Sequence, residues 1–144
     1  MKVEELMIGD WIIGPDLEPK RVVAILNFDE IKVEEEQDSD KWITYNVGDT
    51  EPIPILPWML ERNGFRYYKP NEIDYWGKDL WIQKNKEGAI IKVWKSAEKW
   101  FIQYYSKDGY TNISMPLQTN MVHELQHLLK YCNVEQEITI QNKE

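Results

Sequence analysis

The sequence predicts an α+β fold: an N-terminal SH3-like small β-barrel, a short helix, then an antiparallel meander packed by one C-terminal amphipathic helix. Three observations predict it. Short apolar runs punctuated by turn residues fill residues 9–54. A second series of such runs spans Arg66–Ser114, with turns at Pro70-Asn71, Trp76–Asp79, Asn85–Gly88 and Ser106–Gly109 that carry Gly, Pro, Asn or Asp. Only Met121–Cys132 carries a sustained helical period. The chain has 144 residues, which suits one domain or two small lobes, read as 1–54 and 55–144.

In the first lobe, Trp11-Ile12-Ile13 follows the Gly9-Asp10 turn, and Gly14-Pro15-Asp16 turns the chain again. Arg21–Leu26 is dense in β-branched residues and is the strongest strand. Asn27-Phe28-Asp29-Glu30 turns into Ile31–Glu34, which alternates with period two, and Trp42–Val47 is the fourth strand. Strands this short and evenly spaced suit a small barrel, which closes its own edges. Pro52 and Pro54 lack an amide donor, so Pro52–Ile55 reads as an extended connection out of the barrel.

Pro57 fits a first helical position, and Trp58–Asn63 gives one to two helical turns. Gly64 stops that helix as a left-handed residue, with Phe65 as its apolar contact. Arg66–Lys69, Ile73–Trp76, Leu80–Lys84, Ala89–Lys95, Lys99–Tyr105 and Tyr110–Ser114 are the meander strands. Asn120 is a suitable N-cap for the helix Met121–Cys132. Its apolar arc of Met121, Val122, Leu125, Leu128, Leu129 and Cys132 is expected to pack on the meander. Asn133 ends the helix, and Glu137–Ile140 is a short last strand.

Composition narrows the function classes. Hydrophobic residues are 42% and charged residues 29%, as in a globular protein rather than a disordered one. No apolar stretch reaches the roughly 20 residues of a membrane helix, and the Met1–Glu5 opening has no apolar signal region. Cys132 is the only cysteine, so an internal disulfide and a multi-cysteine zinc site are excluded, and its place on the apolar arc makes it core. The expected location is the cytoplasm, and no cofactor is implied.

The charge is uneven. Met1–Leu56 holds five basic and fourteen acidic residues, whereas Pro57–Glu144 holds twelve and eleven, for a net of −8. Acid concentrates in Asp29–Asp40, and Glu34, Glu35, Glu36, Asp38 and Asp40, followed by Trp42, form the expected binding residues. Clustered acids repel one another unless a cationic partner relieves them, so a basic protein is the expected partner. In Lys78–Lys107, Lys92, Trp94, Lys95, Lys99, Trp100 and Tyr104 interleave base and aromatic as single-strand binders do. A chain of charge −8 repels phosphate at long range, so nucleic-acid binding stands third.

His123-Glu124-Leu125-Gln126-His127 matches H-E-x-x-H. Two histidines four apart on a helix can hold Zn²⁺, with Glu124 as general base on a metal-bound water. Against this, both histidines lie opposite the apolar arc and are expected to face solvent. No third histidine remains, and only Glu135, Glu137 and Glu144 follow. A small zinc-dependent hydrolase is therefore the alternative, and non-catalytic binding is preferred. Among other motifs, no phosphate loop, dinucleotide fingerprint, nucleophile elbow or EF-hand spacing is present.

Three segments carry a resemblance. Met1-Lys2 followed by Leu6, Ile8-Gly9-Asp10-Trp11, then Glu51-Pro52-Ile53-Pro54-Ile55 with Leu60 and Gly64-Phe65, then Val122-His123-Glu124-Leu125-Gln126-His127 are similar to the opening, linker and final helix of a large group. That group comprises uncharacterised proteins of Bacteroides-type bacteria, their prophages and phages. The resemblance spans the chain and departs from the pattern at Leu56-Pro57, where a Thr cap and Glu are more usual. It implies an accessory protein of a phage or mobile element and no particular activity. In the group's pattern Gln often stands at the position of Glu124 and Asn at that of His127. Gln is no general base and Asn a poor zinc ligand.

Overall fold

The computed structural model describes the chain apart from residues 37–39, 73–77, 85–87, 119, 133–137 and 141–144. The fold is α+β, with two antiparallel five-stranded sheets and one main helix. The chain divides into two compact units. One comprises Met1–Pro54, Met121–His127 and the chain from Ile140; the other comprises Ile55–Asn120 and Leu128–Thr139.

In the first unit, β1 (Trp11–Ile13), β2 (Pro19–Ile25), β3 (Glu30–Glu34) and β4 (Trp42–Asn46) form a meander. A 3-10 turn at Val47–Asp49 leads into β5 (Glu51–Pro52), which adds to the far side of β1. The order is β4-β3-β2-β1-β5, an open sheet whose edges are β4 and β5. The expected barrel closure is thus corrected. The expected extended connection is corrected too, because Pro52 pairs with Ile12 in β5. A proline is tolerated there because β5 is an edge. Val3, Leu6, Ile12, Val22, Ile31, Val33 and Val47 form the core, with Met1, Ile43 and Tyr45 packed against it.

In the second unit, α1 (Pro57–Arg62) begins with proline at its first turn. It ends as expected: Gly64 takes φ +87°, Phe65 N–H bonds to Leu60 C=O and Gly64 N–H to Glu61 C=O. Phe65 is buried. Then β6 (Arg66–Tyr68), β7 (Leu80–Lys84), β8 (Ile90–Ser96), β9 (Lys99–Tyr105) and β10 (Asn112–Pro116) pair in sequence order. The expected strand Ile73–Trp76 lies wholly outside the described residues.

The main helix, α2, spans Val122–Tyr131. Asn120 does not cap it. That residue has φ +60°; its side chain accepts from Trp100 N–H and donates to Glu98 C=O. An asparagine that tolerates the left-handed region is free to serve a neighbouring turn instead. The expected last strand is also corrected. Glu137 lies outside the described residues, and Ile138–Ile140 forms no strand. Thr139 is held by Asn63, whose amide oxygen takes its N–H and whose amide nitrogen donates to its C=O.

Candidate functional site

The acidic hairpin is built by β3 and β4. The register pairs Glu34 with Trp42, Lys32 with Thr44 and Glu30 with Asn46. Directly paired residues share a face, so these six side chains lie on one side of the sheet. Ile31, Val33, Ile43 and Tyr45 lie on the other, against the core. Outside the ladder, Glu35 N–H bonds to Lys41 C=O at 2.8 Å, continuing the hairpin. Lys20 pins the same residue from β2, donating to Glu35 C=O at 2.7 Å while it pairs with Asp16 at 3.1 Å.

The acids of this hairpin do different things. Glu34 is buried, and its Oε1 takes a charge-assisted bond from Arg21 Nη2 at 2.6 Å. Its second oxygen, Oε2, is buried and has no hydrogen-bond partner among the described residues. Glu35, Glu36 and Asp40 are exposed, and Asp38 lies outside the described residues. Trp42 keeps 56% of its surface exposed, and Lys32 Nζ sits 5.8 Å from its ring centroid. The hairpin thus presents three exposed carboxylates, with Glu35 on the Tyr45 side of the sheet, and Trp42 on the other face already receives a cation.

The H-E-x-x-H helix is placed differently from expectation. His123 is 5% exposed and His127 is half-buried, so neither lies on a solvated face. Both belong to the first unit, where the first turns of α2 meet the loop before β1. Gln126 Oε1 accepts Trp11 N–H at 3.0 Å, and its Nε2 donates to Gly9 C=O at 2.9 Å. Asp10 is fully buried; its Oδ2 takes Met7 N–H at 2.7 Å and lies 2.6 Å from His127 Nε2. Asp10 is the acidic neighbour that sequence reasoning missed, because it looked only downstream of the helix.

Among the described residues His123 meets no such partner, and its buried Nδ1 is unsatisfied. Burial holds its pKa below the usual imidazole value. His127 pushes it further down, while Asp10, Glu5 and Glu124 oppose this. The His123 and His127 rings meet edge to face, 5.8 Å between centroids. Among the described residues, no group of three His, Cys, Asp or Glu is arranged to hold a metal ion. Glu135, Glu137 and Glu144 lie outside the described residues. The apolar arc is buried at Val122, Leu125 and Leu129 and half-buried at Met121, Leu128 and Cys132. Burial pushes the Cys132 thiol up, away from the reactive thiolate.

In the basic meander, Trp94 and Trp100 are buried. Trp94 stacks on Phe101 at 5.6 Å, and Trp100 tilts against Trp81 at 5.5 Å. Rings packed into a sheet face have no free surface for a base. Lys92 lies over Tyr105 and Lys95 over Trp100, at 5.6 and 5.9 Å from the centroids. Trp94 and Trp100 are thus taken up by the sheet, while Tyr104 is half-buried.

No family model, curated protein or solved structure matches this chain. Among the described residues, no helix is long and apolar enough to cross a membrane.

Proposed function

We propose that this chain is a non-catalytic binding protein whose acidic β3–β4 hairpin docks a basic protein. In this reading it is an accessory protein of a phage or mobile element of Bacteroides-type bacteria, acting in the host cytoplasm. The observation that carries it is the exposure of Glu35, Glu36 and Asp40 in the hairpin that also exposes Trp42. An exposed cluster of one sign speeds the encounter with an opposite charge, and an adjacent exposed tryptophan supplies contact area. Glu34 is not part of the docking set in this reading, since Arg21 already engages it. The α2 histidines support the non-catalytic side: His127 is bonded to Asp10 and His123 is packed away.

The test is affinity capture from host lysate, with wild type and a Glu35→Gln/Glu36→Gln/Asp40→Asn variant side by side. The expected result is a basic protein held by wild type, released by added salt, and held weakly by the variant. A partner that the variant retains as well as wild type does would overturn the reading.

A further inference from the structure

We infer that the partner docks by adding a strand to β4, and that it does so with an extended segment bearing Lys or Arg. This rests on the docking reading above and names its mode. In an antiparallel ladder, bonded and non-bonded pairs alternate. Glu35 N–H bonds to Lys41 C=O at one end of β4, and Val47 N–H to Asp29 C=O at the other. The alternation therefore directs the backbone groups of Trp42, Thr44 and Asn46 away from β3. The same three residues are exposed, and β4 ends its sheet. Among the described residues they form a row of unpaired donors and acceptors, which is a template for another strand.

The other sheet edges are blunted. β5 is two residues long and contains Pro52. β6 is three residues long and starts with Arg66. In β10 the same alternation turns Asn112, Ser114 and Pro116 outward, and Pro116 has no N–H to offer. β4 has five residues, with no proline, glycine or charge among them. Folded proteins protect such edges unless they are used.

Charge selects the occupant. Glu35, Glu36 and Asp40 stand at the Trp42 end of the edge, and the unpartnered Glu34 Oε2 lies on the same face as Trp42. A basic strand laid along β4 supplies cations to the three exposed carboxylates, while the buried Glu34 stays with Arg21. A second copy of this chain does not. Antiparallel pairing of two β4 strands about Thr44 brings Asp40 of one copy beside Gly48 and Asp49 of the other, acid against acid.

The experiment uses a short synthetic peptide of alternating lysine and valine, fluorescently labelled, with binding followed by anisotropy. A second peptide carries N-methyl groups on alternate amides, which keeps its charge and removes its donors. The full chain is used as wild type, as Thr44→Pro, and as Glu35→Gln/Glu36→Gln/Asp40→Asn. Thr44 N–H is not used in the ladder, so proline is tolerated at this edge position. The plain peptide is expected to bind wild type, and N-methylation or Thr44→Pro to weaken it by about tenfold or more, the scale of one or two lost hydrogen bonds. If Thr44→Pro fails to fold, the N-methylated peptide on wild type decides alone. Equal binding of the two peptides, or no binding of the plain one, overturns strand addition. A wild-type dimer that Thr44→Pro dissolves also overturns it, by making a second copy the occupant. If strand addition fails but the triple charge variant still weakens the plain peptide, docking at the hairpin stands. If the charge variant binds like wild type, the docking reading falls as well.

Discussion

Gln126, Asn63 and Asn120 each spend a side-chain amide on backbone groups far away in sequence. Gln126 and Trp11 are 115 residues apart, and Asn63 and Thr139 are 76 apart. An amide offers both a donor and an acceptor, so it substitutes for a strand partner where none passes. The sequence carries no local signal of such pairing, which is why His123 and His127, on either side of Gln126, read as solvent-facing positions. Periodicity locates the apolar arc of a helix but not a second surface that buries its polar flank. Asp10 is in the same position: its turn with Gly9 is legible, its bond to His127 is not. His123 yields a prediction here. Its folded pKa is depressed by burial, and then by His127, against Asp10, Glu5 and Glu124. The unfolded chain then binds a proton that the native state refuses, so this contribution is present above the unfolded value and lost as pH falls below it. Melting temperature is expected to fall as pH drops below about 6.5. In His123→Leu the fall over that window is expected to be shallower, because no proton is taken up at that position on unfolding. Parallel curves for the two proteins would place the acid sensitivity elsewhere.

At the scale of elements, turn chemistry was the most readable layer. Pro57 at the start of α1 and Gly64-Phe65 after it stand where the sequence puts them. So do β1, β3, β4, β7 and β9, within a residue or so, as short apolar runs, of which β3 and β4 also alternate with period two. The β8–β9 turn was not readable. Ser96 pairs with Lys99, leaving a two-residue loop of Ala97 and Glu98, both left-handed at φ +51° and +66°. Such a loop is normally Asn-Gly, and Ala-Glu gives no hint of it. The packing and the Asn120 bond to Glu98 C=O impose the shape. Each unfavourable residue costs roughly 1–2 kcal/mol in the left-handed region. Ala97→Asn/Glu98→Gly is therefore expected to stabilise the protein by about 1–2 kcal/mol, read as a higher urea midpoint with unchanged slope. The exposed Glu98 side chain gives up only a 3.7 Å contact to Lys95, which weighs little. A lowered midpoint would show that the hairpin geometry is not set by this turn.

At the scale of the molecule, the fold class was legible because it follows from counting strand-like and helix-like stretches. The barrel was not, because closure depends on whether the last edges meet, and no residue pattern in β4 or β5 reports that. The charge imbalance was legible in full, but its roles were not. The sequence cannot tell Glu34, buried on Arg21, from Glu35 and Glu36, which stand free. Stability separates them. With a net charge of −8, mostly carried by residues 1–56, the compact state works against its own repulsion. Removing two free charges lowers that repulsion and breaks no ion pair. Glu35→Gln/Glu36→Gln is therefore expected to melt higher than wild type at about 10 mM salt, where the screening length is about 30 Å. At about 1 M salt, with a screening length near 3 Å, the two curves should coincide. Glu34→Gln is expected to do the opposite. It leaves Arg21 without its carboxylate, and Glu34 is only 6% exposed, so salt cannot replace the lost partner. Its melting temperature should lie below wild type at both salt concentrations. If the double variant gains nothing at low salt, the free carboxylates are too far apart to strain the fold. Relief of self-repulsion would then no longer be a reason for a cationic partner to bind.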